Sequence, residues 1–310
     1  MKKSWQDMAA EAASYGVTDI HIEETGRMYW RLGKKVIPSD EAEGEAVLNW
    51  FDEFTAAGPG LDRMEAIGKL VCRIHVYETV AGRAAAIRLL HPYRPLEEDQ
   101  DREILKQCCL YPSGLVLITG STGAGKTTLL HRMIDYVNRQ EHKHIVTVED
   151  PVEWIHTSQK SLVSQREVGR HVPSYPAAVK EALREDPDVL LIGELREEEA
   201  ADCVLEAAET GHLVLATLHT GRAAEVIPRM IQAGTGNPEY RRERLAQCLR
   251  AVITQQAEYK DGERKHRRDI LINTPAVSQL IRSHKEHQLY NAMQTGRSWG
   301  MRVMEQEDTL

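Results

Sequence analysis

The sequence predicts an α/β protein with a mainly parallel sheet, preceded by a smaller α+β domain. Three observations carry this prediction. The 310 residues suit two domains of about 150 residues each. Short, continuous apolar runs recur in the second part of the chain, and such runs are typical of strands buried on both faces of a parallel sheet. A glycine-rich turn directly follows the first of these runs. The runs are 115–118, 145–148, 189–192 and 213–216.

The first domain is predicted to cover residues 1–90, where the apolar pattern changes between two periods. Alternation of apolar and polar residues predicts strands. Helical spacing of apolar residues predicts one helix over 45–54. The predicted strands are 18–22, 28–32, 70–76 and 83–90.

A linker is predicted over residues 91–101, followed by the second domain over 102–310. Pro92 and Pro95 resist helix and sheet, and an acidic run from Glu97 to Asp101 follows them. These features suit a connection between two domains.

Composition excludes several classes of protein. Hydrophobic residues make up 42% and charged residues 28%, which is ordinary for a folded domain and excludes disordered and fibrous chains. The net charge of −8 disfavours a general binder of nucleic-acid phosphates. No apolar run approaches the length of about 18 residues that a membrane span needs, and no signal peptide is evident, so we expect a cytoplasmic protein. The five cysteines include no C-x-x-C pair and predict buried, reduced thiols.

The most informative segment matches the pattern G-x-x-x-x-G-K-[ST], between the first apolar run of the second domain and an amphipathic stretch. Glycines let the backbone curl so that its N–H groups point at phosphate oxygens, and the helix that follows adds its positive end. Lys126 is expected to reach the β and γ phosphates, and the Thr127 hydroxyl to bind Mg²⁺. The segment comprises Gly120, Ser121, Thr122, Gly123, Ala124, Gly125, Lys126, Thr127 and Thr128.

Two carboxylates follow later strands of the same predicted sheet. Glu149 directly follows the run 145–148, and Glu194 follows the run 189–192. Parallel strands bring their carboxyl ends to one edge, so both acids are predicted to face the glycine-rich loop. One would orient the attacking water and the other would hold Mg²⁺ through water. Taken alone, either acid is also consistent with a residue in a solvated turn.

Two histidines flank the fourth run. An imidazole near a γ phosphate can respond to its presence, which makes His212 and His219 candidates for the site. A structural role for each remains open.

Four stretches together resemble the secretion-ATPase superfamily, and look like its Walker A, aspartate, Walker B and histidine boxes. They are 120–128, 147–153, 182–196 and 210–220. Further stretches look like the PilT branch, the type IV pilus retraction motors, and the four-cysteine zinc insert of assembly and type II secretion relatives is missing. These stretches are 207–212, 249–255, 274–282 and 294–301.

The resemblance implies a RecA-like P-loop ATPase core after a PAS-like first domain, with ATP and Mg²⁺ as cofactors. It implies catalytic roles for Glu149, Glu194, His212 and His219, with Thr127 and Glu194 at the metal. Arg73 and Arg88 match arginines that the family directs at the nucleotide phosphates.

The resemblance also implies partners and a location. It implies a homo-hexamer that converts ATP hydrolysis into domain rotation, acting on an inner-membrane pilus platform protein (PilC-like) within the pilus machinery. The motor is then expected at the cytoplasmic face of the inner membrane, attached only through partners and without nucleic acid.

Several alternatives stay open at this stage. The chain could serve pilus assembly, secretion or a competence filament, or act as a slow nucleotide-gated scaffold. A RecA-like DNA translocase is disfavoured by the acidic balance. Five basic residues surround a predicted hairpin tip at Asp261 and Gly262, and predict either a solvated hairpin or contact with acidic lipid or the platform protein. They are Lys260, Arg264, Lys265, Arg267 and Arg268.

Overall fold

The chain folds into two compact units, covering residues 1–93 with 153–155, and residues 94–152 with 156–310. The computed structural model describes residues 5–39, 48–49, 51–52, 62–67, 70–90, 95–195, 198–218, 221–233, 237–260 and 263–304. Most of the helix predicted over 45–54 lies outside these residues.

The first unit is an antiparallel sheet with a helix, as the alternating patterns predict. The strand order is β3-β2-β1-β6-β5-β4. Inward-facing Ile20, Ile22, Ile74 and Ile87 pack with Met8 of the helix, which gives this unit its own core. The elements are α1 (Trp5–Ser14), β1 (Asp19–Glu23), β2 (Met28–Leu32), β3 (Lys35–Pro38), β4 (Asp62–Ile67), β5 (Leu70–Thr79) and β6 (Gly82–Leu90).

The second unit begins with a 3-10 turn at Leu96–Glu98 and alternates strands with helices thereafter. Its strands are β7 (Gly114–Thr119), β8 (His144–Glu149), β9 (Leu162–Glu167), β10 (Val189–Ile192), β11 (Leu213–Leu218), β12 (Leu249–Lys260) and β13 (Glu263–Ile272). Its helices are α2 (Arg102–Cys109), α3 (Lys126–Gln140), α4 (Tyr175–Ala182), α5 (Glu198–Glu209), α6 (Ala223–Gln232), α7 (Pro238–Cys248), α8 (Pro275–Arg282) and α9 (Leu289–Thr295).

The sheet of the second unit is mainly parallel, which confirms the predicted fold class. The strand order is β13-β12-β7-β11-β10-β8-β9, and β13 alone runs antiparallel, to β12. Every residue of β7, β10 and β11 is buried, as expected for strands covered on both faces. The carboxyl ends of β7, β8 and β10 therefore meet at one edge of the sheet.

Residues 95–101 fall within the range predicted as a linker, but they pack into the second unit. Leu96 is fully buried in its core, and Asp99 and Asp101 are buried as well. Both carboxylates accept hydrogen bonds from Arg268, which compensates their charge inside the protein. The acidic run is therefore a structural part of the second unit.

The hairpin predicted near residue 260 forms from β12 and β13, which pair from Ala251 with Ile272 to Lys260 with Glu263. Its tip, 261–262, lies outside the described residues. The prediction that all five basic residues are solvated or bind lipid is wrong for Arg268, which is 1% exposed.

All five cysteines are free and buried, as predicted. None of the helices in the described part of the chain is long and apolar enough to cross a membrane.

Candidate active site

The glycine-rich loop, residues 120–125, connects the end of β7 to the start of α3. Gly125 precedes the helix at φ +87°, and Gly120 lies at φ +142°. A Cβ atom at Gly120 would lie 2.2 Å from the carbonyl oxygen of Gln255 on β12. Glycine at 120 is therefore required both by the backbone angle and by this close approach.

Lys126 is folded back over the loop. Its Nζ atom donates to the carbonyl oxygens of Gly120 at 2.8 Å and Ser121 at 3.1 Å. Burial lowers the pKa of Lys126, and the negative charge of Glu194 acts in the opposite direction. Glu194 is thus within electrostatic reach of the lysine. Thr127 is half-buried at the start of α3.

A buried glutamine holds the loop from the side of β12. Gln255 Nε2 donates to the carbonyl oxygen of Ala124 at 2.7 Å, and its Oε1 accepts from Arg268 Nε at 2.8 Å. The hydroxyls of Thr119 and Thr254 lie 2.7 Å apart just before the loop. Hydrogen bonds between polar side chains and the backbone therefore hold the loop in place, in a region that is otherwise packed with apolar side chains.

Arg268 belongs to a buried set of ion pairs, which we term the Asp99 cluster. Its members are Asp99, Asp101, Arg132, Arg268 and Arg302. Arg268 and Arg132 approach Asp99 at 2.6 and 2.8 Å. Burial raises the pKa of Asp99, but the hydrogen bonds and charge of Arg268 outweigh it and lower the pKa to about 2. Since Arg132 lies on α3, the cluster anchors the helix that follows the loop.

Glu149 ends β8 and is 2% exposed. Its Oε1 atom accepts from Thr147 Oγ1 at 2.7 Å and from Gln165 Nε2 at 3.3 Å. Its Oε2 atom lies 3.2 Å from His131 Nε2. Burial raises the pKa of Glu149, but the charge of His131 and these hydrogen bonds outweigh it, so the pKa lies below its ordinary value. Glu149 is therefore held as a carboxylate.

Two buried histidines lie beside Glu149 in the interior of the second unit. His131 on α3 lies with its Nδ1 atom 3.0 Å from His156 Nε2. Among the described residues, the His131 Nε2 atom has no partner with good hydrogen-bond geometry, and the Glu149 carboxylate is its neighbour at 3.2 Å. Burial lowers the pKa of His156 to about 4, with the nearby His131 adding to the effect.

Glu194 follows β10, beside the end of β8. Val148 and Ile192 pair in register, and Gly193 N donates to the Val148 carbonyl at 2.8 Å. A Cβ atom at Gly193 would lie 3.3 Å from the Cα atom of Glu149, so glycine lets the two strand ends approach closely. The structure brings both acids to the edge of the sheet where the glycine-rich loop lies.

His212 lies away from the glycine-rich loop, Glu149 and Glu194, which corrects its assignment to the site. It precedes β11, and the parallel pairing of β11 with β7 puts it beside Gly114, at the edge opposite the loop. Its Nδ1 atom lies 2.9 Å from the Ala207 carbonyl oxygen, which suits the structural alternative. His219 lies outside the described residues.

Arg73 and Arg88 are neighbours in the first unit. They pair across β5 and β6, and paired residues share a face of the sheet. The Arg88 side chain is 62% exposed and contacts Asp19 at 3.0 Å. The two arginines thus bring positive charge to one face of this sheet, where Arg88 is paired with Asp19.

Sequence reasoning missed the residues that support the site. His131 lies among apolar residues of α3, and Gln165 and Gln255 lie within strands. A polar residue at a position expected to be buried is the signal that could have identified them.

These features define a P-loop nucleotide hydrolase with a mainly parallel α/β core. The family model described as type II/IV secretion system protein matches residues 70–306. The chain therefore belongs to the type II/IV secretion system protein family, and it is an ATPase of the PilT type.

Three similar proteins support this membership. An uncharacterized protein of Escherichia coli K12, YggR, is 38% identical over 97% of this chain and 96% of its own length. A type IV pilus retractation ATPase, PilT, of Pseudomonas aeruginosa PAO1 is 41% identical over 82% of this chain and 72% of its length. The crystal structure of a pilus retraction motor, PilT with bound ADP, has a TM-score of 0.80 and 32% identity, covering 94% of this chain and 90% of that one.

Proposed function

We propose that this ATPase hydrolyses Mg-ATP to drive retraction of a type IV pilus. The observation that carries the chemical part is the convergence of the glycine-rich loop, Glu149 and Glu194 at one edge of the sheet. Similarity to a type IV pilus retractation ATPase and to a pilus retraction motor supports the choice of filament and direction.

ATP binding is assigned to residues 120–128. The backbone N–H groups of the loop and the start of α3 would contact the phosphates. Lys126 would leave the Gly120 and Ser121 carbonyl oxygens and donate to the β and γ phosphates.

Thr127 and Glu194 would hold Mg²⁺ together with the nucleotide. Among the described residues no group of three or more His, Cys, Asp or Glu side chains could hold a metal ion by itself. One hydroxyl and one carboxylate fit a cation that is usually bound through few protein ligands plus substrate phosphates and water. The bound ion would neutralise charge that develops on the transferring phosphoryl group.

Glu149 is the proposed general base. Its Oε1 atom already accepts two hydrogen bonds, and its Oε2 atom lies beside His131. Because each carboxylate oxygen has two lone pairs, Oε2 keeps one for the proton of the attacking water.

Arg73 and Arg88 are proposed to supply positive charge to the nucleotide. In a homo-hexameric ring they would approach the phosphates when ATP closes the two units, and hydrolysis would reverse that closure. The resulting rotation would act on an inner-membrane platform protein (PilC-like) of the pilus machinery, at the cytoplasmic face of that membrane.

Separating binding from chemistry tests the site. Lys126→Ala should weaken ATP binding, whereas Glu149→Gln should keep binding and abolish turnover. ATP binding is measured with a fluorescent analogue and hydrolysis by phosphate release, with the exposed His142→Gln as a control. Equal hydrolysis by wild type and Glu149→Gln would remove Glu149 from the role of base and leave Glu194 in its place.

Retraction is tested in a deletion strain complemented with wild type or Glu149→Gln. Wild type should restore pilus retraction and twitching, and the variant should not. Normal retraction without the protein would favour an assembly, secretion or competence motor, or a slow nucleotide-gated scaffold. Strong stimulation of hydrolysis by single-stranded DNA would favour a translocase instead.

A further inference from the structure

We infer that His131, supported by His156, is a positioning residue that keeps the Glu149 carboxylate ionised and in one orientation. The inference rests on the proposed role of Glu149 as the general base and deepens it. It concerns a residue on α3 that has no part in the phosphate-binding pattern itself.

The three side chains form a continuous buried row. The Glu149 and His131 side chains are 3% and 4% exposed, and 3.2 Å separates Oε2 from Nε2. The second nitrogen of His131 is 3.0 Å from His156 Nε2. Gln165 closes the group, since its Oε1 accepts from the backbone N–H of His156 at 2.6 Å while its Nε2 donates to Glu149.

Burial makes this row necessary for a carboxylate. A buried carboxylate without opposite charge or donors takes up a proton. Thr147 and Gln165 supply donors to Oε1 only, so the Oε2 atom depends on His131. Within the described part of the chain, the carboxylate at 3.2 Å is the charged group that compensates the burial of His131 Nε2.

His156 fixes the orientation of the His131 ring. With His156 neutral, its Nε2–H can donate to Nδ1 of His131, which directs the Nε2–H of His131 at Glu149. A cationic His131 has a proton on both nitrogens and presents the same face to Glu149. Either form of His131 therefore favours the ionised carboxylate.

Other ionisable side chains surround the row and act alike on wild type and variants. Lys126 and Asp135 lie on α3, Asp150 follows Glu149, Glu167 pairs with Glu149 across β9, and Glu194 follows β10. A difference caused by substituting His131 alone therefore reports on His131.

The kinetic test compares two variants of the full chain with a matched control. His131→Leu removes the imidazole, and His131→Gln keeps a donor near the position of Nε2. His142→Leu makes the same change at an exposed histidine just after α3. Steady-state ATP hydrolysis is measured from pH 4 to pH 9 over a range of ATP concentrations, which gives kcat and KM at each pH.

His131→Leu should lower kcat by at least about ten-fold with KM changed less than about two-fold, because orientation of the base and not ATP binding is affected. The acid limb of its kcat–pH profile should move upward by at least about 1 pH unit, since burial continues to favour the protonated acid after the opposing neighbour is lost. His131→Gln should recover most of kcat. An unmoved acid limb, or equal losses in the Leu and Gln variants, overturns the inference.

A stability cycle separates this inference from the proposed function. The free energy of unfolding in urea is measured for His131→Leu, Glu149→Gln and the double variant. Coupled side chains predict that the double variant loses less than the sum of the single losses, whereas additive losses overturn the pairing. If Glu149→Gln hydrolyses ATP at the wild-type rate while the losses are non-additive, the pairing stands and the general-base assignment fails.

Discussion

Replacing Arg268 by methionine removes the central cation of the Asp99 cluster and leaves a shorter, unbranched apolar side chain. Arg268 is 1% exposed and contacts both Asp99 and Asp101, at 2.6 and 2.7 Å. Removing one partner of a buried ion pair costs about 3 to 5 kcal/mol. Asp99 keeps Arg132 and Asp101 keeps Arg302, so we expect a loss near the lower end, about 3 kcal/mol.

The pKa of Asp99 gives a second measure of the same interaction. It is lowered from 3.8 to about 2, which corresponds to about 2 kcal/mol of net stabilisation of the carboxylate. Arg268 makes the largest contribution to this lowering, so the summed losses of Arg268→Met and Asp99→Asn should exceed the loss of the double variant. Because the folded-state pKa is depressed, this contribution is complete above about pH 4 and is lost as the pH falls toward 2. In Arg268→Met this pH-dependent loss should be smaller, because the folded-state pKa of Asp99 then lies closer to its unfolded value.

The losses are measured by urea denaturation followed by circular dichroism, fitted with one transition for each unit. The measurements are made at pH 7 and along a series down to pH 2. The control is Arg282→Met, whose side chain is 35% exposed and paired with Glu243. An exposed pair of this kind contributes about 1 kcal/mol or less. An Arg268→Met protein as stable as the control would refute the assignment of the cluster as a stabilising anchor.

Three further predictions concern the nucleotide site and the assembly. Gly120→Ala should abolish binding of a fluorescent ATP analogue, because the new Cβ would lie 2.2 Å from the Gln255 carbonyl oxygen; retained affinity would contradict this reading of the loop. Arg73→Gln and Arg88→Gln should each lower turnover by at least about 100-fold with little change in ATP binding. The control, Arg27→Gln at an exposed arginine, should leave turnover unchanged. Unchanged turnover in the first two variants would exclude both arginines from the site. Specific activity should rise with protein concentration as sedimentation detects a ring, and concentration-independent activity of a monomer would argue against any ring.

The part of the site that the sequence predicted depends on local pattern and strand direction. Continuous apolar runs identify buried parallel strands, and parallel strands necessarily bring Glu149 and Glu194 to the edge where the loop begins. The same rule would have excluded His212, since it precedes its strand and a strand of six residues spans about 20 Å. The sequence makes His212 a candidate because it and His219 flank the same apolar run, but the two ends of a strand lie at opposite edges of the sheet.

The supporting residues could not be predicted because their partners are distant in sequence. Arg268 and Asp99 are separated by 169 positions, and a run of basic residues beside a turn ordinarily predicts a solvated surface. Nothing in the local pattern of either segment reports the charge of the other. The same holds for Gln255, whose side-chain Nε2 atom donates to the carbonyl oxygen of Ala124, 131 positions earlier.

The contacts of Lys126 determine how its substitution should be interpreted. In this structure its ammonium group is buried at 8% exposure, yet the Gly120 and Ser121 carbonyl oxygens satisfy it. In the proposed site, ATP binding would exchange these two hydrogen bonds for bonds to phosphate oxygens, so the gain would be the difference between the two sets. The affinity lost in Lys126→Ala therefore measures this difference and not the whole lysine–phosphate interaction. A loop that supplies its own acceptors avoids an uncompensated buried charge before ATP arrives, and it lowers the net gain in affinity by the same exchange.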